Sequence, residues 1–226
     1  MLNVSLASIT KPARTLARGL FAVSLACAPI AALNHTAPAE AQTSSRDLDR
    51  AVAAMRSIST MRADFTQTDR EGNLLRGTLT LKRGGKIRFD YGQDAEILVV
   101  SNGKSLYFVD YEVGQVERYP IRRSPLGALL DPDRDVTRFG ELIPTGSTDV
   151  LSILVKDPKK PEYGTINLIF VADQGAPGGL QLTHWVALDA QNYRTTVRLT
   201  NHRYGVSVAE SAFTFDDPRR SSRRRR

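Results

Sequence analysis

The chain has 226 residues, a formal charge of +7, 41% hydrophobic residues and one cysteine. A lone cysteine excludes a disulfide framework and a cysteine-rich metal site, and the length suits one domain with a sizeable core. Much of the positive charge sits at the two ends, in Lys11, Arg14 and Arg18 and in Arg219, Arg220 and Arg223 to Arg226, so the body from Gln42 to Pro218 is near neutral and has no basic groove for nucleic acid.

In chain order, residues 1–41 read as a cleaved secretory signal. A basic start precedes the apolar run Gly19 to Ile30, which is too short to span a bilayer well, and Ala39-Glu40-Ala41 supplies a small-x-small cleavage pattern before Gln42. A retained amphipathic anchor is the competing reading. A lipid on Cys27 is another, although Ser24-Leu25-Ala26 fits poorly as the residues before a lipidated cysteine. Residues 42–217 then form the domain.

Ser44 and Ser45 predict the cap of a helix over 46–57, with Leu48, Ala51, Val52, Met55 and Ile58 as its apolar stripe. From there the period is that of strands: 61–68, 74–82, 86–91, 96–101, 105–111 and 115–121. Asn102-Gly103 is a strong hairpin signal. Ser124-Pro125 opens a short helix carrying Leu126, Leu129 and Leu130 on one side, too short to be stable unless it docks on something apolar. Residues 136–142 read equally as a short helix or a loop. Strands over 150–156, 163–172, 179–189, 193–203 and 206–215 complete an antiparallel, β-rich α+β domain of about ten strands with two or three short helices. The arginine-rich end, 218–226, reads as a disordered solubilising tail, with contact to phosphates, best supplied by lipid head groups, as its alternative.

The stretch Leu75 to Tyr91 is the most telling. Strand alternation puts Leu75, Gly77, Leu79, Leu81 and Arg83 on one face, and Ile87, Phe89 and Tyr91 on one face of the next strand. These strands predict a sheet presenting a hydrophobic concave surface, with Leu79, Leu81, Ile87 and Phe89, together with the three leucines of the short helix, as ligand-binding residues. Arg83 ends an apolar face, where an unpaired charge is costly. It is either an ordinary strand-end cation reaching solvent or a donor fork that latches the short Leu126-Leu129-Leu130 helix over the sheet through that helix's backbone carbonyls.

Catalytic motifs are missing. There is no G-x-S-x-G, H-E-x-x-H or phosphate loop. His184 alternates in phase with Leu180, Leu182, Val186 and Leu188 and reads as a core or rim residue, while Asp131, Asp133 and Asp135 lack the glycine and glutamate of a calcium loop. No catalytic residue, metal site or cofactor is expected.

Phe65-Thr66-Gln67, Gly77 to Arg83, Arg88-Phe89-Asp90-Tyr91, Ile97 to Leu106, Ser124-Pro125-Leu126 and Phe213-Thr214-Phe215, taken in order, resemble the LolA family of periplasmic carriers of outer-membrane lipoproteins. The resemblance implies a strongly curved antiparallel sheet forming an incomplete barrel, with short helices as a lid over a hydrophobic cavity. It implies a monomeric periplasmic protein, not an enzyme, that takes acylated lipoproteins from an inner-membrane ATP-driven release complex to an outer-membrane receptor. Arg83 matches the family's lid-bonding arginine. The family pattern has a proline next, where this chain has Gly84. A membrane-tethered lipid or lipoprotein receptor or sensor of the same fold, and an envelope hydrolase, are the alternatives.

Overall fold

A computed structural model describes residues 39–92, 95–121 and 139–219. One helix, α1 (Ala39–Ser57), precedes eleven strands: β1 (Thr60–Thr68), β2 (Leu74–Lys82), β3 (Lys86–Asp90), β4 (Ile97–Asn102), β5 (Ser105–Asp110), β6 (Gln115–Pro120), β7 (Gly140–Ile143), β8 (Val150–Lys156), β9 (Thr165–Ala172), β10 (Leu180–Leu188) and β11 (Arg194–Tyr204). All pair antiparallel in one curved, unclosed sheet ordered β6-β5-β4-β3-β2-β1-β11-β10-β9-β8-β7. Two meanders are thus joined through β1 and β11, and β6 and β7 end the order.

Burial explains which face is which. Met61, Ala63 and Phe65 of β1 and Leu79 and Leu81 of β2 point to the concave side, where Ala51 and Ala54 of α1 and Ile58 just after it complete the same core. Small alanines let α1 lie close, and its Ala54 packs against Gly178 in the turn before β10. On the convex side a second core forms under residues 206–215. Val208 and Phe213 cover Leu98, Val100 and Val109, and Phe215 meets Tyr107 at 5.1 Å. Strand β4 is therefore covered on both faces, which is why its sequence ILVV is continuously apolar rather than alternating.

Four expectations need correction. Helix α1 starts at Ala39, ahead of Ser44-Ser45, because Ala-Glu-Ala-Gln are themselves good helix formers. Within 136–142, the described part is a strand, β7, rather than helix or loop. Residues 206–215 are not a strand: an extended strap leads into the 3₁₀ turn Glu210–Phe213. The strap buries Val208 and the turn buries Phe213, a spacing of five that strict alternation does not produce. Finally, Leu75 is 37% exposed, because β2 runs past the edge of the core at its start.

The turn signals operate through local hydrogen bonds. Asn102 Oδ1 accepts the Lys104 and Ser105 amides in the β4–β5 hairpin. Asp189 Oδ1 accepts the Gln191 and Tyr193 amides between β10 and β11.

Candidate functional site: an apolar cavity under the helix

The concave side of the sheet holds a cavity of about 140 Å³ whose described walls are apolar throughout. Leu79, Leu81, Ile87 and Phe89, the four sequence-derived candidates on β2 and β3, all line it. Met61, Val99 and Leu106 extend the wall along the first meander, and Ile166, Leu168, Leu182 and Trp185 form the facing wall on β9 and β10. Met55 and Ile58 close it from the end of α1. Leu126, Leu129 and Leu130 lie outside the described residues.

One end of the cavity is packed with rings set edge to face. Phe65 meets Phe89 at 5.4 Å and Tyr91 at 5.0 Å, and Phe89 meets Trp185 at 5.8 Å. The Tyr91 hydroxyl donates to Gln67 Oε1 at 2.8 Å, and burial pushes its pKa up to about 12, so it stays neutral. No ionisable side chain lines the cavity among the described residues. The described walls offer contact and exclusion of water, with no group among them to carry a proton or a nucleophile.

Trp185 is the residue that alternation misses. The β9–β10 register shifts between Leu182 and His184, and that irregularity puts Leu182 and Trp185, three apart, on the same concave side. His184 consequently pairs with exposed Arg198 on the convex side, out of phase with Leu182. Its Nδ1 is 3.1 Å from Thr183 Oγ1, and burial with the nearby arginine lowers its pKa. His202 Nε2 bonds the Leu182 carbonyl at 2.9 Å, so the two histidines have separate structural partners. Among the described residues no three His, Cys, Asp or Glu side chains converge to hold a metal.

Arg83 is exposed at the end of β2, where its amide bonds the Ser59 carbonyl and its Nη2 donates to the Arg56 carbonyl, both at 2.9 Å. Arg56 lies in the last turn of α1, whose carbonyls have no intrahelical partner and carry the negative end of the helix dipole. The guanidinium therefore ties down the same helix end that supplies Met55 to the cavity. Gly84 follows with φ +89°, a conformation closed to proline, so this turn is built differently from one with proline there.

Residues 56–216 match the family described as outer membrane lipoprotein carrier protein LolA. Among curated relatives, the outer-membrane lipoprotein carrier protein of Methylobacillus flagellatus is 26% identical over 174 residues, covering 74% of this chain and 82% of its own. That of Chromobacterium violaceum is 28% identical, covering 71% and 78%. A crystal structure of a LolA superfamily protein from Nitrosomonas europaea superposes with a TM-score of 0.41 at 11% identity, covering 74% of this chain and 97% of that one.

Proposed function

Because the chain belongs to the LolA family of outer membrane lipoprotein carriers, we propose that it shields the acyl chains of lipoproteins in the concave cavity and carries them across the periplasm. In this reading an inner-membrane ATP-driven release complex loads it, an outer-membrane receptor unloads it, and it performs no covalent chemistry. The observation that carries the reading is the cavity itself, with described walls made of aliphatic, methionine and aromatic side chains alone. Among the described residues, no helix is long and apolar enough to cross a membrane.

The physical requirement is direct. Each buried methylene is worth about 0.8 kcal/mol, so a long acyl chain in water carries a cost on the order of 10 kcal/mol that a carrier must remove. At about 140 Å³ the cavity is smaller than ordinary ligand pockets of roughly 300–1,000 Å³. Loading must therefore widen it. Most of its wall is hydrogen-bonded sheet, whereas Met55 and Ile58 sit at a helix end held in part by the Arg83 bond. Such a bond contributes about 1 kcal/mol net, strong enough to favour the closed form and weak enough for cargo to displace. Leu79, Leu81, Ile87 and Phe89 contact the acyl chains in this scheme, Leu126, Leu129 and Leu130 close over them, and Arg83 is the latch.

Arg83→Leu tests the scheme. The variant should accept lipoprotein from inner-membrane vesicles at least as well as wild type yet deliver it poorly to outer-membrane receptor, because the empty closed state has lost a stabilising bond. Unchanged delivery would reduce Arg83 to a surface cation.

A further inference from the structure

On the convex face the strap crosses the Thr60 end of β1 and the Lys82 end of β2, and five arginines stand exposed on the outer sides of β2, β1 and β11. Arg76 is on β2, Arg62 on β1, and Arg194, Arg198 and Arg203 on β11. The register fixes their side. Met61, Ala63 and Phe65 point into the core, so Arg62 and Thr66 face outward, Arg62 opposite Arg203 and Thr66 opposite both Arg198 and Arg76. All five arginines are exposed, and among the described residues none has an ion pair or a side-chain hydrogen bond. The one carboxylate these three strands carry, Asp64, is engaged by Asn201 Nδ2 at 2.7 Å.

Arg62 and Arg203 are direct cross-strand partners. Like charges so placed destabilise a strand pair, and an anion lying between them reverses the sign. Along β11 the stripe from Arg194 to Arg203 is about 30 Å long, and Arg198 and Arg76, two strands apart, are about 10 Å from each other. Outward residues between them include Thr66, Thr68, Thr78, Thr196 and Thr200, without the aromatic anchors on which protein interfaces centre. A convex wall meets a flat surface along a line, and a line of guanidinium groups is matched by a plane of phosphates.

We propose that this stripe docks the protein, reversibly and by charge, on the anionic phospholipid headgroups of a bilayer surface. The cavity lies on the opposite face of the sheet, so docking leaves it free. The contact is a second binding site, distinct from the one that holds cargo.

Sedimentation with vesicles tests it, using protein recovered from envelope extracts and phosphatidylcholine vesicles made with or without phosphatidylglycerol. The proposal expects binding to the phosphatidylglycerol vesicles alone, lost at high salt. It also expects binding about a hundredfold weaker in the combined variant Arg62→Gln, Arg198→Gln, Arg203→Gln. Should that variant fold poorly, the lipid and salt dependence of the wild type decides. Equal binding to neutral vesicles, or binding indifferent to salt, overturns the proposal. So does full binding by the folded triple variant, including the case where deleting residues 220–226 is what abolishes it. If the same arginines retain an acidic protein and ignore vesicles, the lipid assignment is wrong. Uptake of an acylated peptide by the triple variant should be unchanged, which separates this result from the carrier reading.

Discussion

Gly77 shows how much one missing side chain does for this site. It sits opposite Phe65 in the β1–β2 pair, and a Cβ there would lie 2.0 Å from the Asp90 carbonyl oxygen and 2.8 Å from the Phe65 ring. The bare backbone lets the ring cross β2 and reach Phe89 and Tyr91, which builds the aromatic end of the cavity. Gly77→Ala should therefore lower stability by about 2–3 kcal/mol, as overpacking against backbone does, and a denaturant melt reads it; a shift within error would mean that the ring stack is easily displaced. In the sequence Gly77 is visible as a member of the apolar face, but its reason is not, because the contact that forbids a side chain comes from Asp90, on the next strand. Arg83 is a similar case. Its position on the apolar face is legible from phase alone, whereas its partner, a carbonyl at the end of α1, depends on the helix folding back over the sheet.

The strap shows what alternation does and does not convey about an element. The hydrophobic residues of 206–215 correctly signal burial, but an extended segment can bury side chains without pairing in a ladder. Here it is held instead by side chains of β2 and β3 and by Thr60. Lys82 Nζ donates to the Val208 carbonyl at 3.1 Å, Thr60 Oγ1 to Val206 at 2.7 Å and Arg88 to Ala212 at 3.3 Å. Glu210 in the 3₁₀ turn pairs with Lys82 at 2.6 Å and with Lys86. These two lysines hold the Glu210 carboxyl at about 2, down from 4.5. A depressed carboxyl favours the folded state in its ionised form, so the contribution is complete above about 4.5 and fades as pH falls towards about 2. Glu210→Gln should melt below wild type at neutral pH, with the gap closing across that acid window. A gap that is constant with pH would show that the lysines act on something other than this carboxylate. The β10 irregularity teaches the same lesson on the other wall, since one register shift conceals Trp185 and misplaces His184 when the strand is read with strict period two.

At the scale of the molecule, the strand order joins two antiparallel meanders into a sheet that curves without closing, leaving a concave apolar interior that α1 covers in part. Most of this was legible. Strand positions followed from alternation and from turn residues such as Asn102-Gly103, and four cavity residues followed from the phase of β2 and β3. The facing wall on β9 and β10 was not, because pairing across a long loop and the choice of concave face are set by the whole sheet rather than by any local pattern. The central claim is that this interior, and not the exposed surface, receives acyl chains. Photo-crosslinking tests it most directly. A photoreactive residue at Phe89, and another at Val113, which is 68% exposed, are introduced separately and irradiated in cells making an acylated lipoprotein. The account predicts a lipoprotein adduct from position 89 and none from position 113; adducts from both alike, or from position 113 alone, would contradict it.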